Sequence, residues 1–381
     1  MTVLTGLEVL LNDATRIRDM RVGLLSNAAS ITRDARRNVD ALLAAGVNVA
    51  LLFSPEHGFG GAVIAGDKVA SGIDARTGLP IHSLYGATKR PSAEMLRGLD
   101  ALLFDLQDVG ARFYTYTTTL AYAIEACAEQ RLPLIVLDRP NPIAGEVIEG
   151  PLLQAECESF VGHGALPLRY AMTIGELARF YAAAKKCEQT VRVVAMQGWR
   201  RDMFFDETAL PWAPPSPNMP HAQTALFYPG MALVGEGGNC SAGALTPLPF
   251  ECAGAPWLDG DALAATMNAL DLAGARFRPF HFTPTSQRYA HAGQTCFGVQ
   301  VHVTDRKAFR PVRVGLHLLC AIRRQQPARW IWNAAHFDLL IGNRETRAMI
   351  DAGADVEEIA HHWHTGAEEF KARRQACVLY G

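Results

Sequence analysis

The sequence predicts an α/β chain: a mostly parallel sheet covered by helices on both faces, followed by a smaller α+β domain. Three observations carry this. Apolar runs of strand length alternate with amphipathic stretches of helix length through the first half. Those runs are continuously apolar, as strands buried on both faces are, and do not alternate in polarity. The texture then changes at "LPWAPPSPNMPHAQ" (210–223), where five prolines leave no room for a helix or a central strand.

Taken in chain order, "RVGLLSN" (21–27) is the first strand and 33–45 the first amphipathic helix. "VNVALLF" (47–53) and "ALLFDL" (101–106) are the next strands. A helix over 113–130 leads to the strand "PLIVLD" (133–138). "TIGELARFYAAAK" (173–185) opens with Thr173 and, three residues on, Glu176, the pattern of a capping box at a helix start. "VRVVAM" (191–196) closes the series, and the proline-rich stretch sets a boundary that divides the chain into 1–205 and 206–381. In the second part "FRPFHF" (277–282) and "TCFGVQVHV" (295–303) read as strands, and helices are expected near 312–326 and 355–372. There is no internal repeat.

Composition narrows the function classes. A chain of 381 residues exceeds what one core usually serves, and 49% hydrophobic with 19% charged residues is ordinary for a globular protein. Thirty-six basic against 38 acidic residues, a net charge of -2, give no electrostatic reason to expect nucleic acid or an anionic membrane as partner. The opening "MTVLTGLEVLLNDATRIRDM" lacks the basic-then-apolar pattern of an export signal, and no run reaches the roughly 18 apolar residues of a membrane span. A cytoplasmic location is therefore expected. Eight scattered cysteines without a CxxC pair read as reduced, structural thiols.

Each strand of the first half ends in polar residues: Ser26 and Asn27, Ser54 to His57, Asp105 to Asp108, Asp138 to Asn141. In an open α/β sheet ligands bind outside the carboxyl ends of the strands, so these tips are expected to face one crevice. No cofactor is expected. "GFGGAV" (58–63) meets only the first two glycines of a dinucleotide loop, and "EGGNCSAG" (236–243) lacks the Lys-Ser/Thr ending of a P-loop. No metal is expected either, because "HHWH" (361–364) sits in a helix where adjacent residues point to different faces. There is no GxSxG for a serine nucleophile. Carboxylates, amides, an imidazole, arginines and tyrosines remain, which is the composition of a sugar site. Glycoside hydrolysis needs a carboxylic acid held protonated near neutral pH, and apolar surroundings favour that state. Glu56, between Pro55 and His57 with Phe53 and Phe59 near, is the leading candidate; the alternatives are a surface loop carboxylate or a structural pair with His57.

The ordered set "SNAASIT", "LLFSPEHGFGG", "LYG" with "KRP", "DLQDVGARFYTY", "VLDRPNPIAGEVIEGP", "PSPNMP", "EGGNCSAGALTPLPFECAGAPW" and "RRQACVLY" resembles the exo-β-N-acetylmuramidase family over essentially the whole chain. The resemblance implies a Rossmann-like N-terminal domain, a smaller barrel-like C-terminal domain and a site in the cleft between them. It also implies release of N-acetylmuramic acid from the non-reducing ends of peptidoglycan fragments, with the glutamate of "PEHG", Glu56, as catalytic acid. The family's glycine-rich loop carries a Glu and an Arg where this chain has Ala242 and Ala244.

The expected site follows. Glu56 is the general acid, with His57 and Asp108 as further catalytic residues. Asp105 or Asp108 activates water, or the substrate's own acetamido oxygen attacks the anomeric carbon. Asn27, Asp105, Gln107, Arg112, Tyr114, Arg139, Asn141, Glu236, Asn239 and Ser241 line the substrate cleft. Arg112 is the expected reader of the lactyl carboxylate, with Arg139 next; the alternatives are that Arg112 pairs with Asp105 or Asp108, and Arg139 with Asp138. The partner is a small saccharide or muropeptide. Two other functions fit the same residues: a catalytically silent amino-sugar-binding protein, and a hydrolase of a different acylated amino sugar.

Overall fold

The computed structural model describes residues 2–381. The strands of the first half are β1 (Arg21–Ser26), β2 (Asn48–Ser54), β3 (Gly72–Ile73), β4 (Pro80–Ser83), β5 (Ala101–Asp105), β6 (Leu134–Leu137), β7 (Glu149–Leu152), β8 (Pro167–Arg169) and β9 (Val191–Val194). Seven of them form one sheet in the order β3-β4-β2-β1-β5-β6-β9, parallel except at the short edge strand β3. Leu25 pairs with Phe53 and Ser26 with Asp105, so the carboxyl ends of β1, β2 and β5 lie side by side.

The unbroken apolar runs are explained by what covers each face. Val22, Leu24, Leu52, Leu103 and Leu137 point to one side, into a core shared with Leu7, Leu10, Val39 and Leu42 of helices α1 (Gly6–Asn12) and α2 (Asn38–Ala44). Leu25, Phe53, Phe104 and Val136 point to the other. There they meet α4 (Tyr116–Glu129) and α5 (Ile174–Ala184), which follow the short α3 (Ala93–Leu96). The Thr173–Glu176 capping box is formed, each side chain bonded to the other's backbone N–H. Two helices start later than expected. Residues 33–37 make a turn in which Thr32 N–H bonds Arg36 O at 2.9 Å and Ala35 takes φ 56°, so α2 begins only at Asn38. Likewise the loop through Ala111 delays α4 to Tyr116.

The second half contains α6 (Thr224–Glu236), β10 (Cys252–Ala255), α7 (Gly260–Ala269), β11 (Ala275–Phe282), β12 (Cys296–Val303) and α8 (Pro311–Gln325). Four shorter helices follow: α9 (Ala334–Ile341), α10 (Glu345–Asp351), α11 (Val356–His362) and α12 (His364–Arg374). The single helix expected over 355–372 is broken at Trp363. The expected barrel-like form is corrected: the strands make an open antiparallel sheet, β10-β12-β11, and three strands are too few to close on themselves. Helix α6 crosses α8 so closely that a Cβ on Gly230 would overlap the carbonyl of Pro311, which is why glycine stands there and at Gly315 opposite.

The chain end returns to the first sheet. Tyr380 Oη donates to Asp138 Oδ2 at 2.5 Å, and Arg201 N–H bonds the carbonyl of Gly381 at 2.9 Å. All eight cysteines are free and buried. Among the described residues no helix is long and apolar enough to cross a membrane.

Candidate active site

At the end of β2 the chain must leave a buried sheet and turn sharply. It does so with two left-handed residues in succession, His57 at φ 72° and Gly58 at φ 76°. Glycine accepts that conformation freely, whereas a residue with a Cβ loses about 1–2 kcal/mol there. Three hydrogen bonds hold the turn: Gly58 N–H to Pro55 O at 3.1 Å, Val63 N–H to His57 O at 3.1 Å, and His57 Nδ1 to Val63 O at 2.7 Å. Because a carbonyl only accepts, the proton of His57 sits on Nδ1. Burial lowers the imidazole's pKa against the pull of Glu56, so the ring is neutral with Nε2 free to accept.

Glu56 is only 5% exposed. Its Oε1 accepts from Gly66 N–H at 2.8 Å and its Oε2 from Thr115 Oγ1 at 2.6 Å, so its carboxyl is oriented by two uncharged donors. Beneath it, Asn27 Nδ2 donates to Tyr116 Oη at 2.7 Å, and Tyr116 Oη donates to Pro215 O at 2.7 Å. That chain ties the tip of β1, the start of α4 and the proline-rich segment together.

Above Glu56 opens a cavity of about 100 Å³. Glu56, His57, Tyr114 and Thr115 line it from the first half. Ser216 and Asn218 come from the proline-rich segment, Tyr228 and Glu236 from α6, and Tyr289 from the loop between β11 and β12. Its wall is aromatic: Tyr228 packs edge-on against Phe113 at 5.0 Å and Phe250 at 4.8 Å between centroids. Glu236 stands in this wall with Oε2 3.1 Å from His336 Nε2. Asn218 donates to Tyr289 Oη at 2.9 Å and accepts from Leu245 N–H at 2.7 Å. Hydroxyls, an amide and two carboxylates over an aromatic floor suit a pyranose, with its apolar C–H face and ring of hydroxyls.

Of the expected site residues, the structure brings Glu56, His57, Tyr114 and Glu236 to the cavity. The others lie outside its lining, bonded within the scaffold. Asp105 receives Arg139 Nε at 2.5 Å and Nη2 at 3.1 Å, plus Asn38 Nδ2 at 2.7 Å, all buried. Arg139 thus pairs with Asp105 and not with Asp138. Asp138 instead accepts from Thr173 Oγ1, Gly175 N–H and Tyr380 Oη, and burial pushes its carboxyl up to about 7. Gln107 donates to the carbonyls of Asp108 and Pro140, and Asn141 to that of Met172. Asn27 serves Tyr116, as above. Asn239 is bound to the backbone of Arg329 and Ile331, and Ser241 to Gly243 N–H.

Two expected roles are corrected by position. Asp108 is buried against Tyr170, which donates to its Oδ2, and Gly110 N–H does the same at 2.7 Å; burial raises its carboxyl to about 6. It is outside the cavity lining. Arg112 is fully buried and meets neither carboxylate proposed for it. Its Nη1 donates to Pro151 O at 3.0 Å and Leu166 O at 2.8 Å, and its Nη2 to Leu340 O at 2.8 Å. A guanidinium held by three main-chain carbonyls joins strand β7, the segment before β8 and helix α9. Ala242 and Ala244 are likewise buried outside the cavity lining, with Ala242 packed on Gly235.

The residues that sequence reasoning missed are Thr115, Ser216, Asn218, Tyr228 and Tyr289. The available signal was "PSPNMP" (215–220): so many prolines fix a rigid backbone, which suits presenting Ser216 and Asn218 to a ligand.

Comparison with known proteins agrees with this architecture. The family model for the N-terminal part of exo-beta-N-acetylmuramidase NamZ matches residues 22–223, and that for its C-terminal part matches 226–380. The peptidoglycan beta-N-acetylmuramidase NamZ of Bacillus subtilis (strain 168) is 43% identical over 381 residues, covering 99% of this chain and 91% of that one. Crystal structures of two DUF1343 family proteins from Bacteroides fragilis NCTC 9343 superpose with TM-scores of 0.91 and 0.78, at 34% and 29% identity. Each comparison covers 100% of this chain and 99% of the other. With both halves matched end to end, the chain belongs to the exo-β-N-acetylmuramidase NamZ family.

Proposed function

We propose that the protein is a glycoside hydrolase that releases N-acetylmuramic acid from the non-reducing end of peptidoglycan fragments, with Glu56 as the general acid. The observation that carries this is Glu56 itself: a buried carboxyl in the lining of an aromatic-walled cavity, oriented by Gly66 and Thr115 and paired with no cation. A carboxylic acid so placed is the group that general acid catalysis uses to protonate the glycosidic oxygen as the bond breaks.

Glu236 is the second carboxylate of the cavity. It either takes the part assigned from sequence to Asp105 or Asp108, activating water, or orients the substrate's acetamido group for the substrate-assisted alternative. His57, neutral and with Nε2 free, accepts a hydrogen bond from a sugar hydroxyl. The absent Glu and Arg at positions 242 and 244 do not empty the site, since neither alanine lines it. The reading keeps 1–205 as the domain that supplies the acid and 206–381 as the part that closes the cavity. Free, buried cysteines support work in a reducing compartment, the cytoplasm.

Replacing Glu56→Gln keeps size and hydrogen bonding but removes the transferable proton. Turnover of a disaccharide with terminal N-acetylmuramic acid should fall by about 100- to 10,000-fold while the thermal unfolding midpoint is retained. Activity within a few-fold of the parent would remove Glu56 from the reaction.

A further inference from the structure

N-Acetylmuramic acid differs from N-acetylglucosamine by one group, a lactyl ether ending in a carboxylate. The cavity alone is a poor host for an anion. Its ionisable lining includes two carboxyl groups, Glu56 and Glu236, and among the described residues no Lys or Arg lines it. A carboxylate bound there needs a cation from the rim. Arg112 is committed to three carbonyls. Lys89 stands over the rings of Phe160 and Tyr85, 4.2 and 5.3 Å from their centroids, and is engaged there.

Arg288 is placed differently. It lies in the loop between β11 and β12, directly before Tyr289 of the cavity wall. Its guanidinium rests on Gly66, so closely that a Cβ at Gly66 would overlap Nη2. Gly66 is the residue whose N–H holds Glu56 Oε1 at 2.8 Å. The cation is therefore one residue away from the acid, carried on the opposite half of the molecule. Its ion-pair partner, Asp67 Oδ1, is 3.5 Å away, and the two side chains are 48% and 54% exposed. A pair so long and so open holds its members weakly and leaves most of the five guanidinium donors available. A planar fork of N–H groups matches a carboxylate with two parallel bonds.

We propose that Arg288 is the specificity-determining residue that binds the lactyl carboxylate of the substrate, exchanging its loose contact with Asp67 for a charge-assisted pair at the cavity rim. This rests on the reading of Glu56 and its cavity as the muramidase site. Gly66, at φ 81°, then has two reasons to be glycine, its left-handed backbone and the guanidinium that any side chain there would push away.

The test compares a chromogenic N-acetylmuramide with its lactyl methyl ester, which has the same shape and leaving group but no charge. For the parent protein kcat/KM should favour the acid. Arg288→Ala should reduce that acid-to-ester preference by about ten- to a hundredfold, chiefly through KM, and Arg288→Lys should restore part of it. A merely structural arginine would lower both substrates together and leave the ratio intact, which would overturn the proposal. If the parent cleaves neither substrate, the hydrolase reading fails on its own. Calorimetric titration with free N-acetylmuramic acid and its methyl ester then decides the role of Arg288 by the same ratio.

Discussion

The tips of β2 and β5 lie in the same sheet, at the same edge, and both end in acidic and polar residues. At β2, Glu56 and His57 face a cavity and keep part of their hydrogen-bonding capacity for a ligand. At β5, Asp105 is closed by Arg139 and Asn38, and Asp108 Oδ2 by Tyr170 and Gly110, while Asp108 Oδ1 is buried without a partner and outside the cavity lining. The difference teaches that a polar strand end is a site only where its unused capacity opens onto a cavity. A left-handed turn lifts the β2 tip toward the second half of the chain, while the β5 tip is covered by neighbouring tips and loops.

Three substitutions would break or sharpen this contrast, beginning with Arg112 in the segment that continues from β5. Arg112→Ala leaves three buried carbonyls without their charged donor, at roughly 1.5–3 kcal/mol each, so stability should fall by more than about 4 kcal/mol. Chemical denaturation measures this directly. A stable variant that has lost sugar affinity would instead return Arg112 to the ligand. Next, Asp105→Asn leaves the Arg139 guanidinium buried without its counter-charge. A loss of about 3–5 kcal/mol is expected, because breaking one side of a buried pair costs more than the pair contributes. Activity of the folded variant should persist, and its disappearance without destabilisation would make Asp105 part of the chemistry.

The third effect concerns pH. Burial raises the Asp138 carboxyl to about 7 from an ordinary value of 3.8, so between those values the folded protein binds a proton that the unfolded chain has released. Its contribution to stability is fully present below about pH 4 and is lost as pH rises toward about 7. Asp138→Asn, which keeps the bond from Gly175, should flatten that part of the stability profile. An unchanged slope between pH 4.5 and 7 would show that Asp138 titrates normally.

How far the sequence could be read follows the same division. Five of the seven strands of the large sheet were legible to within a residue or two, because two buried faces require uninterrupted apolar runs such as "ALLFD"; the short edge strands β3 and β4, partly exposed, carry no such run and were not foreseen. That Glu56 faces a cavity was legible from its place at a strand end, although its residue type alone left a structural carboxylate equally open and the family resemblance singled it out. The cavity wall was not. Tyr228 belongs to α6, a helix that carries Pro229 in its interior and so looked unlike one, and Tyr289 sits on a loop with no periodicity at all. Arg112 and Arg139 could not be separated from ligand-binding arginines by sequence. Their partners, Leu340 O and Asp105, are distant in the chain and one of them is a main-chain atom.

The most direct measurement is the leaving-group dependence of Glu56→Gln. Two substrates share a β-linked N-acetylmuramic acid; one carries N-acetylglucosamine as leaving group, which must be protonated to depart, and the other a nitrophenol, which departs as an anion. With Glu56 as general acid, the substitution should slow the first by about 100- to 10,000-fold and the second by no more than about tenfold. Equal losses on both substrates would contradict that role and make Glu56 a group that positions the sugar without delivering the proton.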